Sequence, residues 1–572
     1  MRSLPSDNRL GHPLAVPVLL VAVILAVYYP SFSSGTNSVD DPGIFAFFAN
    51  PPPLRSILLP GKTYYFRPII ELSYYLDSRL WGLEPAVMHL ENILLHMANA
   101  VLVFFLARRI AGHYPKANPL VPLLASLLFA LHPLNVEAVA WIAGRTDPMA
   151  ALFVLAACSF LLRWLDVLRW RDACCCICFC AAAVLTKEVS SAFAAAALLF
   201  VLAWPGMATR QQRVYAVGAM VLSGVLLVVL VLMYLKGTSS LGRFIEGSNR
   251  QGFSLIVDSL TAFGFYVKKL FVPLPLNFAI TEVHPAYSVL GGGTFLSLCW
   301  MLRRHRLAGL CLAAAALLML PAVLIASRQV AWTPYAERYL YQSSAFFSLG
   351  VCAAVLELRK NLQTVCIAVL IILLCGAAVS SMQRVLLWKD KLAFYKDAVA
   401  KSPGFGSVYN ELGGHLLQHG EVDKAAEAFA MADRLNKRPS MKMLIKANLM
   451  GSMLVRGRQA EARGYFFELF KDKREASAEF LELLYLADSK RLNGISGIER
   501  AVLAGDLLET LDLLNRKKPD PFWLYRSGQI SLILNNKTMS ADYFRRSYTA
   551  APSDAHYRAA AQTYFKRLEA GK

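Results

Sequence analysis

Charge is scarce in this chain. Only 17% of its 572 residues are charged while 56% are hydrophobic, which excludes an ordinary soluble protein of this length and makes a bilayer its solvent. Cysteine is missing from the places where a disulfide framework would need it. All eleven cysteines fall in apolar segments, including the run Cys174-Cys175-Cys176-Ile177-Cys178-Phe179-Cys180. We expect them to pack as small hydrophobic side chains rather than to pair or bind metal. No small-x-small cleavage site follows the first apolar stretch, Pro13 to Pro30, so it reads as an anchor with a cytoplasmic N-terminus and not as a removed signal. Acidic residues are outnumbered 39 to 59 by Lys and Arg. The excess does not point to nucleic acid, because it sits in short clusters between apolar runs: Arg108-Arg109, Arg169 with Arg171, and Arg303-Arg304 with Arg306. Clusters of that kind orient membrane helices.

What is present is a series of apolar runs long enough to cross about 30 Å of hydrocarbon. After the first they fall at 89–107, 118–131, 149–168, 173–186, 189–204, 214–235, 286–302, 307–325, 342–357 and 363–381. The segment from Phe253 to Val272 is ambiguous, because it carries Asp258, Lys268 and Lys269 and runs into Pro273 and Pro275. Laid in the interface as an amphipathic helix, it leaves eleven spans and puts every basic cluster inside. The C-terminal region then lies outside the cytoplasm. The expected architecture is all-α, with a polytopic membrane domain over 1–384 and a soluble helical domain over 385–572.

The soluble region has repeat spacing. Tyr409 to Gly413 is followed by Gly420, Ala425, Phe429 and Ala432; Leu449 and Met453 by Gly457, Ala462 and Phe466; and Gly528 by Ser540, Phe544, Ser547 and Pro552. Small residues at such spacing let two antiparallel helices approach while large ones fill between them, which is the tetratricopeptide pattern. Between these copies the register is degenerate. Stacked hairpins make a concave surface suited to holding a polypeptide or a partner protein.

Polar residues kept at the ends of apolar helices are functional candidates, because holding them there is costly. On the outer face of this topology stand Asp40-Asp41, Arg67, Asn92, His96, His132, Glu137, Arg145, Asp147, Lys187-Glu188 and Glu337-Arg338-Tyr339. Each has a plain structural reading. Asp40-Asp41 is also a solvated loop or the beginning of a Mn²⁺ or Mg²⁺ site, although those ions want several oxygen ligands and the loop shows no further obvious set. Lys187-Glu188 is also an ion pair at a helix junction, and Arg338 an anchor in an aromatic belt. Together they form the set that sugar transfer from a polyprenyl phosphate requires: a carboxylate to take the acceptor proton, and cations, preferably guanidinium forks, for the departing phosphate.

The string His132-Pro133-Leu134-Asn135-Val136-Glu137-Ala138-Val139-Ala140-Trp141-Ile142-Ala143-Gly144-Arg145-Thr146-Asp147 resembles the motif of the tetratricopeptide-containing transmembrane O-mannosyltransferases and their bacterial relatives, which are GT-C membrane glycosyltransferases. Asp40-Asp41-Pro42, Phe66-Arg67-Pro68, Trp81-Gly82-Leu83, His89 to Asn99, Lys187-Glu188, Pro273 to Asn277 and Glu337 to Tyr341 are similar to further blocks of that family, in its order. The resemblance implies an eleven-helix GT-C fold, a polyprenyl-phosphate sugar donor and an acidic catalytic residue in the first outer loop. It implies Asp40 as general base with Asp41 assisting, and Arg338, Lys187 and Arg67 at the donor phosphate. His132, Glu137, Arg145, Glu188, His96 and Tyr339 are further active-site candidates. The implied reaction is inverting transfer of a mannose-like hexose to a hydroxyl, of protein Ser or Thr or of an envelope glycan. With few repeats and no luminal retention signal, the chain looks like a bacterial inner-membrane member. The competing reading is a non-catalytic membrane scaffold whose repeats recruit partners.

Overall fold

The computed structural model describes residues 15–59, 66–115, 117–204, 253–436 and 439–571, with isolated positions between 205 and 252. The expected span at 214–235 lies almost wholly outside them. The regular structure of the described residues is helical, and their β pairing is one isolated bridge between Ile280 and Tyr335. It divides into two compact units, Met1–Ser402 and Pro403–Lys572.

Among the described residues, six helical segments of the first unit are long and apolar enough to cross a membrane: Ala15–Ser33, Pro85–Ala111, Ala143–Val167, Leu307–Arg328, Glu337–Leu356 and Lys360–Lys389. A seventh forms if Leu120–Ala130 and Pro133–Ala140, bent by 41° at His132, count as one. The remaining apolar runs make shorter helices, Trp170–Thr186 and Phe193–Ala203, or one that ends in Arg303-Arg304, Tyr287–Arg304. Among the described residues six or seven helices meet a length and composition test, while one of the eleven expected spans, 214–235, lies outside those residues.

The Phe253–Phe271 helix packs at backbone contact on the helix that follows it. A Cβ on Gly264 would meet the Tyr287 carbonyl oxygen at 2.0 Å, and one on Gly291 would meet that of Leu260 at 2.1 Å. Pairing of 264 with 287 and of 260 with 291 means that the helix runs antiparallel to Tyr287–Arg304 at backbone contact, which glycine alone permits. Its 19 residues span about 28 Å. Residues 261–267 are all buried, so its charges are not spread along one wet face; Lys269 is buried as well.

The domain boundary also falls later than position 384. The helix Lys391–Lys401 belongs to the first unit because Phe394 sits 4.5 Å from the Trp388 ring, which stacks on Trp141 at 6.1 Å, with Phe278 against all three of these rings.

In the second unit successive helices form antiparallel hairpins. The hairpin turns fall seven positions after Gly413, Met450 and Gly528, at Gly420 (φ 76°), Gly457 (φ 76°) and Asn535 (φ 56°), residues that tolerate the left-handed region. Phe429, Phe466 and Phe544 are buried at the same later position of each hairpin. Gly413 and Gly528 receive the rings of Phe429 and Phe544, where a Cβ would come within 2.6 and 2.8 Å. The intervening pair, Ala478–Leu492 and Gly497–Lys517, follows a different spacing, which is the degeneracy seen in the sequence.

Candidate active site

The long motif folds as a tight run of short helices, Pro133–Asn135, Val136–Ala140 and Ala143–Arg145, leading into Thr146–Val167. Gly144 is required at its bend, since a Cβ there would lie 2.7 Å from the Ala138 carbonyl oxygen. Arg145 is buried and pins the bend from below. Its guanidinium binds Asp77 at 2.6 Å, Glu91 at 2.7 Å and Asn92 Oδ1 at 3.1 Å, and lies over the Tyr74 ring. Asn92 in turn donates to the Trp141 carbonyl at 2.8 Å. Arg145 is thus enclosed in a structural network and does not reach the other cations.

The pinned bend fixes the first outer loop. Asp41 is 0% exposed, and its carboxylate accepts from Asn37 N at 2.6 Å and from Ala143 N at 3.0 Å. Burial pushes Asp41 up to about 6, against the pull of those two N–H groups and of Lys391. The Asn37 side chain is held by the Tyr395 hydroxyl at 3.0 Å, which also bonds Ser38 at 2.8 Å. The neighbouring Asp40 is solvent-accessible, and its carboxylate makes no hydrogen bond among the described residues. Removal from bulk water raises its pKa, opposed by the guanidinium groups of Arg338 and Arg67. The adjacent carboxylates therefore diverge, one locked to backbone and one open, and do not chelate. Among the described residues no group of three or more His, Cys, Asp or Glu is placed to hold a metal ion.

Around Asp40 the predicted cations each stand with a carboxylate. Arg67 binds Glu188 through Nε at 3.0 Å and Nη2 at 2.7 Å. Lys187 Nζ binds Asp147 at 2.6 Å, and Arg338 binds the fully buried Glu137. The pairs adjoin one another: Lys187 lies 5.7 Å from the centre of the Tyr339 ring, over which Arg338 also lies at 5.0 Å, and Lys187 is within electrostatic range of both Arg67 and Arg338. Asp40, Arg67, Glu137, Asp147, Lys187, Glu188, Arg338 and Tyr339 thus converge from five separate stretches of sequence. The motif's two carboxylates, Glu137 and Asp147, hold the cations, while its Ala143 holds Asp41.

The two histidines are placed elsewhere. His132 Nε2 lies 3.0 Å from the Leu270 carbonyl and its Nδ1 accepts from Leu134 N at 3.4 Å. His96 is sandwiched between the Tyr341 hydroxyl at 2.7 Å and the Ala130 carbonyl at 3.0 Å. Both are buried with both ring nitrogens engaged, so they tie helices together.

Sequence reasoning missed Tyr395, Lys391 and Lys269. Lys269 donates to Glu337 at 2.7 Å, and Asn277 N reaches the same carboxylate at 2.9 Å, turning Glu337 away from Arg338 next to it. A lysine set in a buried helical stretch was the available signal for Lys269. An apolar cavity of about 610 Å³ lies between the Phe253–Phe271 helix and its neighbours, lined by Leu255, Leu260, Phe263, Phe295, Leu298 and Leu317 among others.

No family model matches the chain. Among characterised proteins, it is 39% identical over 95 residues to protein O-mannosyl-transferase TMTC2 of Mus musculus, covering 17% of this chain and 11% of that protein. It is 33% identical over 125 residues to protein O-mannosyl-transferase Tmtc1 of Drosophila melanogaster, covering 22% and 14%. A third relative, protein O-mannosyl-transferase TMTC4 of Mus musculus, is 37% identical over 108 residues, covering 17% and 14%. The matches span no more than about a seventh of these relatives' length. Within those segments the chain is related to the TMTC protein O-mannosyl-transferases, the family that its motifs resemble.

Proposed function

We propose that this protein is an inverting membrane glycosyltransferase of GT-C type that moves a mannose-like hexose from a polyprenyl phosphate to a Ser or Thr hydroxyl of a polypeptide on the non-cytoplasmic face. One observation carries the reading: Asp40 presents an accessible carboxylate to a group of cations whose own carboxylate partners are already in place. In this mechanism Asp40 takes the proton from the acceptor hydroxyl as its oxygen attacks the anomeric carbon, and the bond from that carbon to the lipid phosphate breaks. Glu137 occupies part of the Arg338 fork and leaves the rest to stabilise the departing phosphate, with Arg67 and Lys187 adding positive potential. Asp41 does not assist chemically but holds the loop. The apolar cavity along the Phe253–Phe271 helix is a place for the isoprenoid tail, and the hairpin unit, read as tetratricopeptide-like, holds the acceptor. The basic clusters Arg108-Arg109, Arg169 with Arg171, and Arg303 to Arg306 support a cytoplasmic location for their own helix ends and a non-cytoplasmic one for this site at the opposite ends.

The test is transfer of mannose from polyprenyl-phosphate mannose to a Ser/Thr-rich peptide by the purified protein. Asp40→Asn is expected to lower the rate about 10²- to 10⁴-fold, the contribution of a positioned general base, with unchanged thermal stability. Full activity in Asp40→Asn removes the proposed base and with it this mechanism.

A further inference from the structure

Near the C-terminal end of the Lys360–Lys389 helix, Arg384 is only 4% exposed, yet its Nε and Nη2 have no hydrogen-bond partner among the described residues. Its acidic neighbours are committed elsewhere. Glu337 receives Lys269 and Asn277 N, and its second oxygen stands 3.8 Å from Arg384. Asp397 is held by Lys401 at 2.7 Å and stands 3.6 Å away. Lys269, Arg384 and Lys401 thus face two carboxylates, which leaves the group with positive charge in excess. A buried guanidinium with unmade hydrogen bonds is costly unless something completes it.

Arg384 lines an open cavity of about 550 Å³, within the range of about 300–1,000 Å³ usual for ligand sites. Ser380, Gln383 and Lys401 supply the rest of its polar wall, and Leu274, Pro275, Leu276 and Leu387 the apolar one. A guanidinium fork selects an oxyanion with two oxygens to offer. The apolar wall, beside a helix that crosses the membrane, selects an anion that carries a hydrocarbon chain rather than a free one.

We propose that this cavity binds the phosphate of an anionic membrane lipid, with Arg384 as its principal ligand. It adjoins the Asp40 group, since Arg384 and Glu337 are within electrostatic range of Glu137, but its polar wall is made of other residues, Ser380, Gln383, Arg384 and Lys401. The experiment reconstitutes the full chain in nanodiscs of phosphatidylcholine containing a minor share of phosphatidylglycerol, releases it into detergent and counts retained lipid by native mass spectrometry. Arg384→Gln is expected to lower retained phosphatidylglycerol about tenfold or more, the loss of a charge-assisted pair, and to leave phosphatidylcholine unchanged. Should that variant fail to fold, Leu274→Asp sets a carboxylate at the cavity wall on a side chain that is already 53% exposed, and the same loss is expected. Equal phosphatidylglycerol retention in wild type and a folded variant overturns the site, as does equal loss of both lipids. Displacement of phosphatidylglycerol by excess inorganic phosphate assigns the cavity to a soluble anion and overturns the lipid. Retention does not require turnover, so Asp40→Asn keeps the lipid whatever becomes of the transferase reading.

Discussion

In the proposed reaction two adjacent aspartates divide holding from reacting. Asp41→Asn loses an acceptor for one of two buried N–H groups and is expected to cost about 1–3 kcal/mol of stability, read as earlier thermal unfolding of the detergent-solubilised protein, with activity falling through misplacement of Asp40. Asp40→Asn is expected to do the reverse, sparing stability and removing turnover. The sign of the pH dependence follows from the surroundings of Asp40. A base must be ionised to act, and partial desolvation raises the pKa of Asp40 above the ordinary aspartate value, so the acid limb of kcat/KM, which reports the free enzyme, should lie above that value. Arg338 is the larger of the two groups pulling it down. In Arg338→Gln, residual activity should therefore show its acid limb at higher pH than wild type; a limb that stays in place or moves down would mean that Asp40 is not the titrating base. At this scale the sequence offered a set of candidates but not the partners that sort them. The string from His132 to Asp147 was legible as a block, while whether Arg145 or Glu137 faces substrate or another side chain depends on partners such as Asp77 and Arg338, far away in the chain.

The elements were legible wherever one solvent imposed one pattern. Apolar runs became helices, and small residues at repeat spacing became hairpins, because periodicity reports which face is buried. The Phe253–Phe271 helix resisted that logic. Its three charges suggest an interfacial helix, but they do not show that Lys269 is spent on Glu337 inside the protein or that a pair of glycines lets its backbone press on the next helix. Close approach makes a sharp prediction. Gly264→Ala places a methyl 2.0 Å from the Tyr287 oxygen, forces the two helices apart and should cost about 1–3 kcal/mol, the range for overpacked sites. Gly292→Ala, one residue beyond the contact glycine and with nothing within 4 Å of the added carbon, should unfold at or above the wild-type temperature. Differential scanning of the two variants in one detergent checks this, and equal midpoints would show that the glycine contact bears no load.

For the whole molecule, the proposed function assigns chemistry and acceptor recognition to different compact units. The group around Asp40 draws only on residues before Ser402, including Tyr395, which a boundary at 384 would have placed in the other domain. The second unit carries its own buried core from Ala447 to Ile530. If the repeats hold the polypeptide, the acceptor hydroxyl reaches Asp40 at a local concentration that the repeats supply, and a small acceptor should not need them. A chain ending at Ser402 is therefore expected to keep transfer to a short Ser-containing peptide within a few-fold while its KM for a long unfolded polypeptide rises about tenfold or more. Asp40→Asn in the full chain should lose both reactions equally. A membrane scaffold predicts the opposite pattern: the truncation removes partner capture, and the aspartate substitution changes nothing. Measuring both acceptors on both variants separates the readings, because only an enzyme whose base lies in the first unit responds to the aspartate with the long and the short substrate alike.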